Sequence, residues 1–204
     1  MALITTRFRS FEEYLAMDSS DLPEGCFEYW DGKLIAVMSE SGFNDLLANY
    51  LLVLLMNAGI PLPLLRPHSC EVAVPGNPKT RYPDLTILDT VHIPLIERRN
   101  TITRQMPPPR VLVEVVSPGD ESSDNYIRDY REKPSQYAAI GVPEMWRIDP
   151  DGLRPTGGHR AWVQVGTLIT GEYNFTTFRG EETIVSPTFP NLNLTAIQVL
   201  SAER

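Results

Sequence analysis

Asp84 and Glu114 both stand where a charge is out of place. Glu114 lies inside Val111-Leu-Val-Glu-Val-Val116, and every other residue of that run is apolar. Side chains alternate along a strand, so Glu114 shares a face with Leu112 and Val116, while Val111, Val113 and Val115 line the other. Both faces are then expected to be buried, and a carboxylate there is costly unless it is paired, hydrogen-bonded or bound to a cation. Asp84 opens a similar run, Asp84-Leu-Thr-Ile-Leu88. If the two strands are neighbours the carboxylates converge, and like charges that close favour a shared divalent ion. Their oxygens suit Mg²⁺, or Mn²⁺. Pairing of Glu114 with an arginine, or a role in capping a loop, accounts for the same residues without any ion.

The elements that must position these acids are legible in outline. Ser10-Phe-Glu-Glu13 has the serine and the glutamate three residues on of a helix cap, opening a helix to about Ala16. Asp31-Gly32, between two aromatic or apolar runs, signals a hairpin. Residues 44–57 form the most apolar stretch; a membrane span needs about 20 such residues, and Gly59 and Pro61 stop this one, so it reads as a core helix. A strand over 69–74 and a turn over 75–78 precede the strands 83–88 and 111–116. A long connection, 90–110, joins those two; connections of that length without structure are usually functional or mobile. A helix carrying Lys133 and Tyr137 ends at Gly141-Val-Pro143, and 144–149 reads as a strand running into an Asp149-Pro-Asp-Gly152 turn. Strands at 162–169, 171–178 and 183–185 follow, then a closing helix opened by Thr195-Ala-Ile-Gln198. The sum is one α+β domain over 1–204, with a single central mixed sheet, flanking helices, and additional N- and C-terminal strands.

Composition narrows the classes. With 204 residues, 42% apolar and 22% charged, the chain can bury a core and is neither collagen-like nor low-complexity. Two cysteines, Cys26 and Cys70, are too few for a disulfide framework and point to a reducing compartment. The first residues lack the apolar run of a signal peptide, so a cytoplasmic location is expected. The net charge of −8 opposes tight nonspecific binding to a polyanion. That charge is uneven: residues 1–45 hold 9 acids and 3 bases, whereas 66–137 hold 10 of each, with Arg98, Arg99, Arg104 and Arg110 crowded together. His68, His92 and His159 lack zinc-site spacing. Ser117 is outside any Gly-x-Ser-x-Gly elbow, and Gly157-Gly158 lacks the lysine and serine of a P-loop. Trp146, Trp162, Tyr173, Phe175 and Phe178 could stack bases, but aromatics at strand alternation are usually core, here a second layer or a subunit contact.

An ordered series of short motifs adds more than any one of them. Glu28-Tyr-Trp-Asp-Gly32, Pro83-Asp84, Val113-Glu-Val-Val-Ser-Pro118, Asp129-Tyr-Arg-Glu-Lys133 with Tyr137, Gly141-Val-Pro-Glu-Met-Trp146, Asp149-Pro150 and Ser186-Pro-Thr-Phe-Pro190 together resemble the Uma2 family. That family belongs to the PD-(D/E)XK restriction-endonuclease-like superfamily and is abundant in cyanobacteria. The resemblance implies a restriction-endonuclease-like core and an Mg²⁺-dependent endonuclease acting on DNA. Asp84, Glu114 and the backbone carbonyl of Val115 would hold the ion, with Glu28 supporting it directly or through water. The lysine that the superfamily usually places two residues after the glutamate is Val116 here, and Lys133 is the matching cation on the next helix. It would align the attacking water and stabilise charge in the transition state. Pro134 directly after it predicts a helix that starts near that point or is kinked there, with Arg128 and Arg131 as fallback cations. Tyr137, one turn on, would orient Lys133 or a phosphate, or sit at the core edge. Arg81 would contact a phosphate or pair with an acid. A homodimer is expected, since duplex cutters commonly pair two sites. The alternatives are a catalytically silent nucleic-acid-binding or scaffold protein that keeps the fold, and a small-molecule phosphodiesterase using the same carboxylates.

Overall fold

The five residues of Val111–Val115 are all buried, and the largest sheet is assembled around them. The computed structural model describes residues 3–37, 41–150 and 161–202. In chain order the elements are β1 (Leu3–Arg7), α1 (Phe11–Ala16), β2 (Phe27–Trp30), β3 (Lys33–Ala36), α2 (Gly42–Asn57), β4 (Leu65–Pro67), β5 (Glu71–Ala73), β6 (Thr80–Arg81), β7 (Leu85–Ile87) and β8 (Thr101–Ile102). They continue with β9 (Val111–Val115), α3 (Asp124–Ile127), α4 (Lys133–Ala139), β10 (Glu144–Asp149), β11 (Trp162–Ile169), β12 (Glu172–Phe178) and α5 (Ala196–Leu200).

The α+β class and the central mixed sheet are as expected. The order is β12-β11-β10-β9-β7-β4, with β10 parallel to β9 and the other pairings antiparallel. Alternation along β9 divides its faces. Val111, Val113 and Val115 pack with Leu47, Ala48, Leu51 and Leu55 of α2 and Val199 and Leu200 of α5. Leu47, Leu51 and Leu55 recur every four residues and are fully buried, each worth about 1.5–3 kcal/mol of burial. Leu112, on the other face, packs with Tyr137 of α4, Met145 of β10 and Val72 of β5. Glu114 shares that second face.

Two smaller sheets, β1-β3-β2 and β6-β5-β8, stand apart from the six-stranded one among the described residues. Three expectations need correction. The segment 183–185 is not a strand but one bridge, Thr183 to Thr195, closed by the Ile184 N–H to the Leu194 carbonyl and the Ala196 N–H to the Glu182 carbonyl. The connection 90–110 is structured: a 3₁₀ helix, Thr90–Leu95, is capped reciprocally by Asp89 and His92, and β8 adds parallel to β5. Trp146, Trp162 and Phe178 are buried within the six-stranded sheet itself rather than in a second layer. The turn expected at 149–152 and the pair Gly157-Gly158 fall largely or wholly outside the described residues, as does His159.

Local signals worked where the chemistry was local. Asp31 and Gly32 both have positive φ, 45° and 81°, which gives the hairpin its turn. A Cβ on Gly32 would lie 2.7 Å from the Phe8 carbonyl oxygen, so no larger residue fits. Ser10 caps α1 by accepting from the Glu13 N–H, and Thr195 and Gln198 cap α5 reciprocally. Cys26 and Cys70 are free thiols, and burial pushes the Cys70 thiol up to about 12. No described helix is long and apolar enough to cross a membrane.

Candidate active site

Strand register brings the two acids together. β7 runs antiparallel to β9 with Leu85 opposite Val113, so one further step sets Asp84 against Glu114. The β4 pairing, Pro67 opposite Leu85, sets His68 against Asp84 on the other side. The His68 N–H donates to the Asp84 carbonyl (3.0 Å), and the Val115 N–H donates to Asp84 Oδ2 (2.6 Å). Val115 therefore meets the site through its amide, which fixes the Asp84 carboxylate against the edge of β9.

Glu114 is fully buried and accepts two short hydrogen bonds, from Lys133 Nζ to Oε2 (2.6 Å) and from the Tyr137 hydroxyl to Oε1 (2.5 Å). Burial pushes its carboxyl above the usual range, against the pull of the Lys133 ammonium. Burial alone would pull Lys133 down, but the fields of Glu114, Asp129 and Asp84 outweigh it, so its ammonium is held above the ordinary value. Asp129, one turn before Lys133, is 3.0 Å from Nζ. It also accepts from Arg128 Nε (2.9 Å) and the Ser117 N–H (3.2 Å). Burial raises Asp129, yet Lys133 and Arg128 together hold it below the usual carboxylate range.

The backbone around Pro134 explains how Lys133 reaches inward. Residues Arg128–Glu132 form a π turn between α3 and α4, and the Lys133 N–H bonds the Arg128 carbonyl five residues back. Proline cannot donate a helical hydrogen bond and crowds the preceding turn. The wider π turn absorbs that irregularity: right-handed geometry runs on through Lys133, and α4 itself begins at Lys133, beside Pro134 as expected.

Beside this centre lies a second polar group. Arg81 is buried and pairs with Glu28 (3.2 Å) and Glu132 (2.9 Å), while its Nε donates to Gln136 Oε1 (2.8 Å). Gln136 in turn donates to the carbonyls of Pro75 and Pro78. Arg81 thus holds acids, and Glu28 stands against Arg81. Arg128 caps Asp129, and Arg131 is exposed. Asp129 was missed as a site residue although its i, i+4 spacing to Lys133 is a readable signal. His68 was missed because only tertiary pairing of β4 with β7 carries it to Asp84.

The donor set suits a hard cation. Among the described residues no group of three or more histidine, cysteine or acidic side chains forms a ready metal cage. Mg²⁺ is commonly held by one or two carboxylates with waters and substrate phosphates completing the shell. Each carboxylate oxygen has two lone pairs, so Glu114 keeps acceptor capacity beyond its two hydrogen bonds.

Comparison with known proteins agrees with this architecture. The Uma2 family model, described as "Putative restriction endonuclease", matches residues 11–197. A similar solved structure is described as "a putative nuclease belonging to DUF820 from Anabaena variabilis ATCC 29413". It is 19% identical, with TM-score 0.62 over 94% of this chain and 97% of that one, a likeness that speaks for the fold. No curated protein matches the chain.

Proposed function

Because the chain belongs to the Uma2 family, we propose that it is a divalent-metal-dependent endonuclease hydrolysing DNA phosphodiesters. Asp84 and Glu114 would hold Mg²⁺ or Mn²⁺, with the Val115 carbonyl as a further donor. The ion would supply Lewis acidity and a nucleophilic water at neutral pH. Lys133 is the group this chain provides for the water and for charge developing on the phosphate. Asp129 keeps its ammonium charged and aimed at Glu114, and Tyr137 fixes the Glu114 carboxylate. Glu28 and Arg81 support the centre from the hairpin side, and we assign a homodimer as the cutting unit. The observation that carries this reading is a buried lysine 2.6 Å from a buried glutamate whose strand neighbour is Asp84.

A non-cutting nucleic-acid-binding or scaffold protein is the rival. It draws on the −8 net charge and on Glu114 already having a partner at each oxygen. Supercoiled plasmid incubated with the purified protein and Mg²⁺ or Mn²⁺ separates the two. The nuclease reading expects nicked or linear product, with cutting and Mn²⁺ uptake both lost in Asp84→Ala and Glu114→Ala. A protein that binds metal and DNA yet cuts with neither ion belongs to the rival.

A further inference from the structure

His68 is the side chain of this region that the nuclease reading leaves without a role. Its Nδ1 lies 3.7 Å from Asp84 Oδ1, and its Nε2 lies 3.3 Å from Asp45 Oδ1 in the first turn of α2. The first distance is too long for a hydrogen bond. Two ligand atoms each about 2.1 Å from one ion lie about 3 Å apart when cis and about 4 Å apart when trans. The Nδ1–Oδ1 separation falls within that span. The second contact has the form of a carboxylate behind a metal-bound histidine, which orients the ring and raises its basicity. In this structure the two atoms are close but Nε2 makes no aligned hydrogen bond.

The backbone supports the same arrangement. β4 stops at Pro67, and His68 takes a left-handed conformation (φ 47°), which residues other than glycine adopt at a cost. Its N–H still reaches the Asp84 carbonyl, so residue 68 is tied to residue 84 through backbone and placed beside it through side chain. The His68 side chain is 27% exposed and that of Asp84 6%, so the space between them opens to solvent on the histidine side.

Resting on the carboxylate–metal reading above, we propose that His68 Nδ1 is a ligand to the same ion as Asp84, with Asp45 orienting the ring. The site is then a mixed nitrogen–oxygen one. Imidazole suits first-row transition ions better than Mg²⁺, so Mn²⁺ or a later first-row divalent ion is the preferred occupant.

Mn²⁺ is the probe, and electron spin-echo modulation of the Mn²⁺-loaded full chain is the readout. The wild type is expected to show ¹⁴N modulation from one directly bound imidazole. His68→Asn, which tolerates the left-handed backbone, is expected to lose that modulation. Its Mn²⁺ affinity should fall about tenfold or more by calorimetry, with Mg²⁺ affinity changing far less. Asp45→Asn should weaken Mn²⁺ binding about 10-fold while keeping the ¹⁴N signal. Mn²⁺ bound to the wild type without ¹⁴N modulation, or an unchanged Mn²⁺ to Mg²⁺ preference in a folded His68→Asn, overturns the role of His68 alone. A wild type that takes up neither ion overturns the carboxylate reading together with it. If His68→Asn does not fold, the wild-type spectrum by itself decides.

Discussion

Two buried glutamates, Glu71 in β5 and Glu114 in β9, each accept a 2.5 Å hydrogen bond from a tyrosine and each meet one cation. At Glu71 the account closes locally. Tyr14 donates to one oxygen, Arg99 and Thr101 to the other at 2.8 Å, and Arg99 also donates to the Tyr14 carbonyl and lies 4.2 Å over its ring. One charge faces one charge, and the product is a joint between α1 and the β6-β5-β8 sheet. At Glu114 the balance stays open, because Lys133 is shared with Asp129 and lies in the field of Asp84. Three carboxylates there face two cations, Lys133 and Arg128. A buried acid with a tyrosine and a base is therefore no mark of a catalytic centre. In the proposed reading, what separates the two is that Glu114 has a second carboxylate, Asp84, opposite it on the neighbouring strand, with which it would share a metal ion.

The sharpest test of that contrast is stability. Arg99→Ala strands Glu71 in the interior and should cost about 3–5 kcal/mol in urea unfolding, while plasmid cutting per folded molecule stays at the wild-type rate. A loss of cutting in folded Arg99→Ala would erase the distinction between the two glutamates. Lys133→Ala should lower metal-dependent cutting about 10²–10³-fold in a single-turnover assay, the effect of removing one donor aimed at developing charge. Full cutting by that variant would move the role to Arg128 or Arg131.

The tyrosines give a smaller, matched pair. Tyr14→Phe and Tyr137→Phe each remove one hydrogen bond to a buried carboxylate and should each cost about 1.5–3 kcal/mol by urea titration. Only the second should slow cutting; equal effects on cutting would show that the phenol acts through stability alone.

The smallest effects lie in pH dependence. Asp129 is held below its usual value near 3.8, so it contributes stability above that pH that is lost as pH falls through its lower folded value. Asp129→Asn should flatten the acid limb of a stability–pH profile. Glu114 has the opposite sign: raised by burial above 4.5, it makes the fold less stable as pH rises from 4.5 through its folded value. Glu114→Gln should remove that fall, and an unchanged slope would show that Lys133 fully offsets burial. Lys133, raised above 10.5, contributes stability that is complete below that pH and lost as pH rises through its folded value.

What could be read from the chain alone was what depends on near neighbours. The Asp31-Gly32 hairpin, the Ser10 and Thr195 caps, the two-faced apolar run around Glu114 and the motif order that resembled a nuclease family all rest on spacings of a few residues. Which strands leave the central sheet for the two smaller ones is not legible in the chain, because alternation says that a strand is half-buried or buried but not which strand it pairs with. The partner of Arg81 was left open, since nothing local to residue 81 reveals Glu28 or Glu132 at distances of 53 and 51 residues along the chain.

The tertiary structure decided the electrostatics. Burial turns Glu114 from an ordinary acid into one pushed up by desolvation, and the π turn before Pro134 delivers Lys133 to it. The sequence determined which residues carry charge in apolar company. Only folding determined which of those charges meet, because Coulomb interactions depend on separation and on exclusion of water, and strand register sets both. His68 shows this most plainly: it stands sixteen positions before Asp84 along the chain, and one antiparallel pairing sets the two side by side.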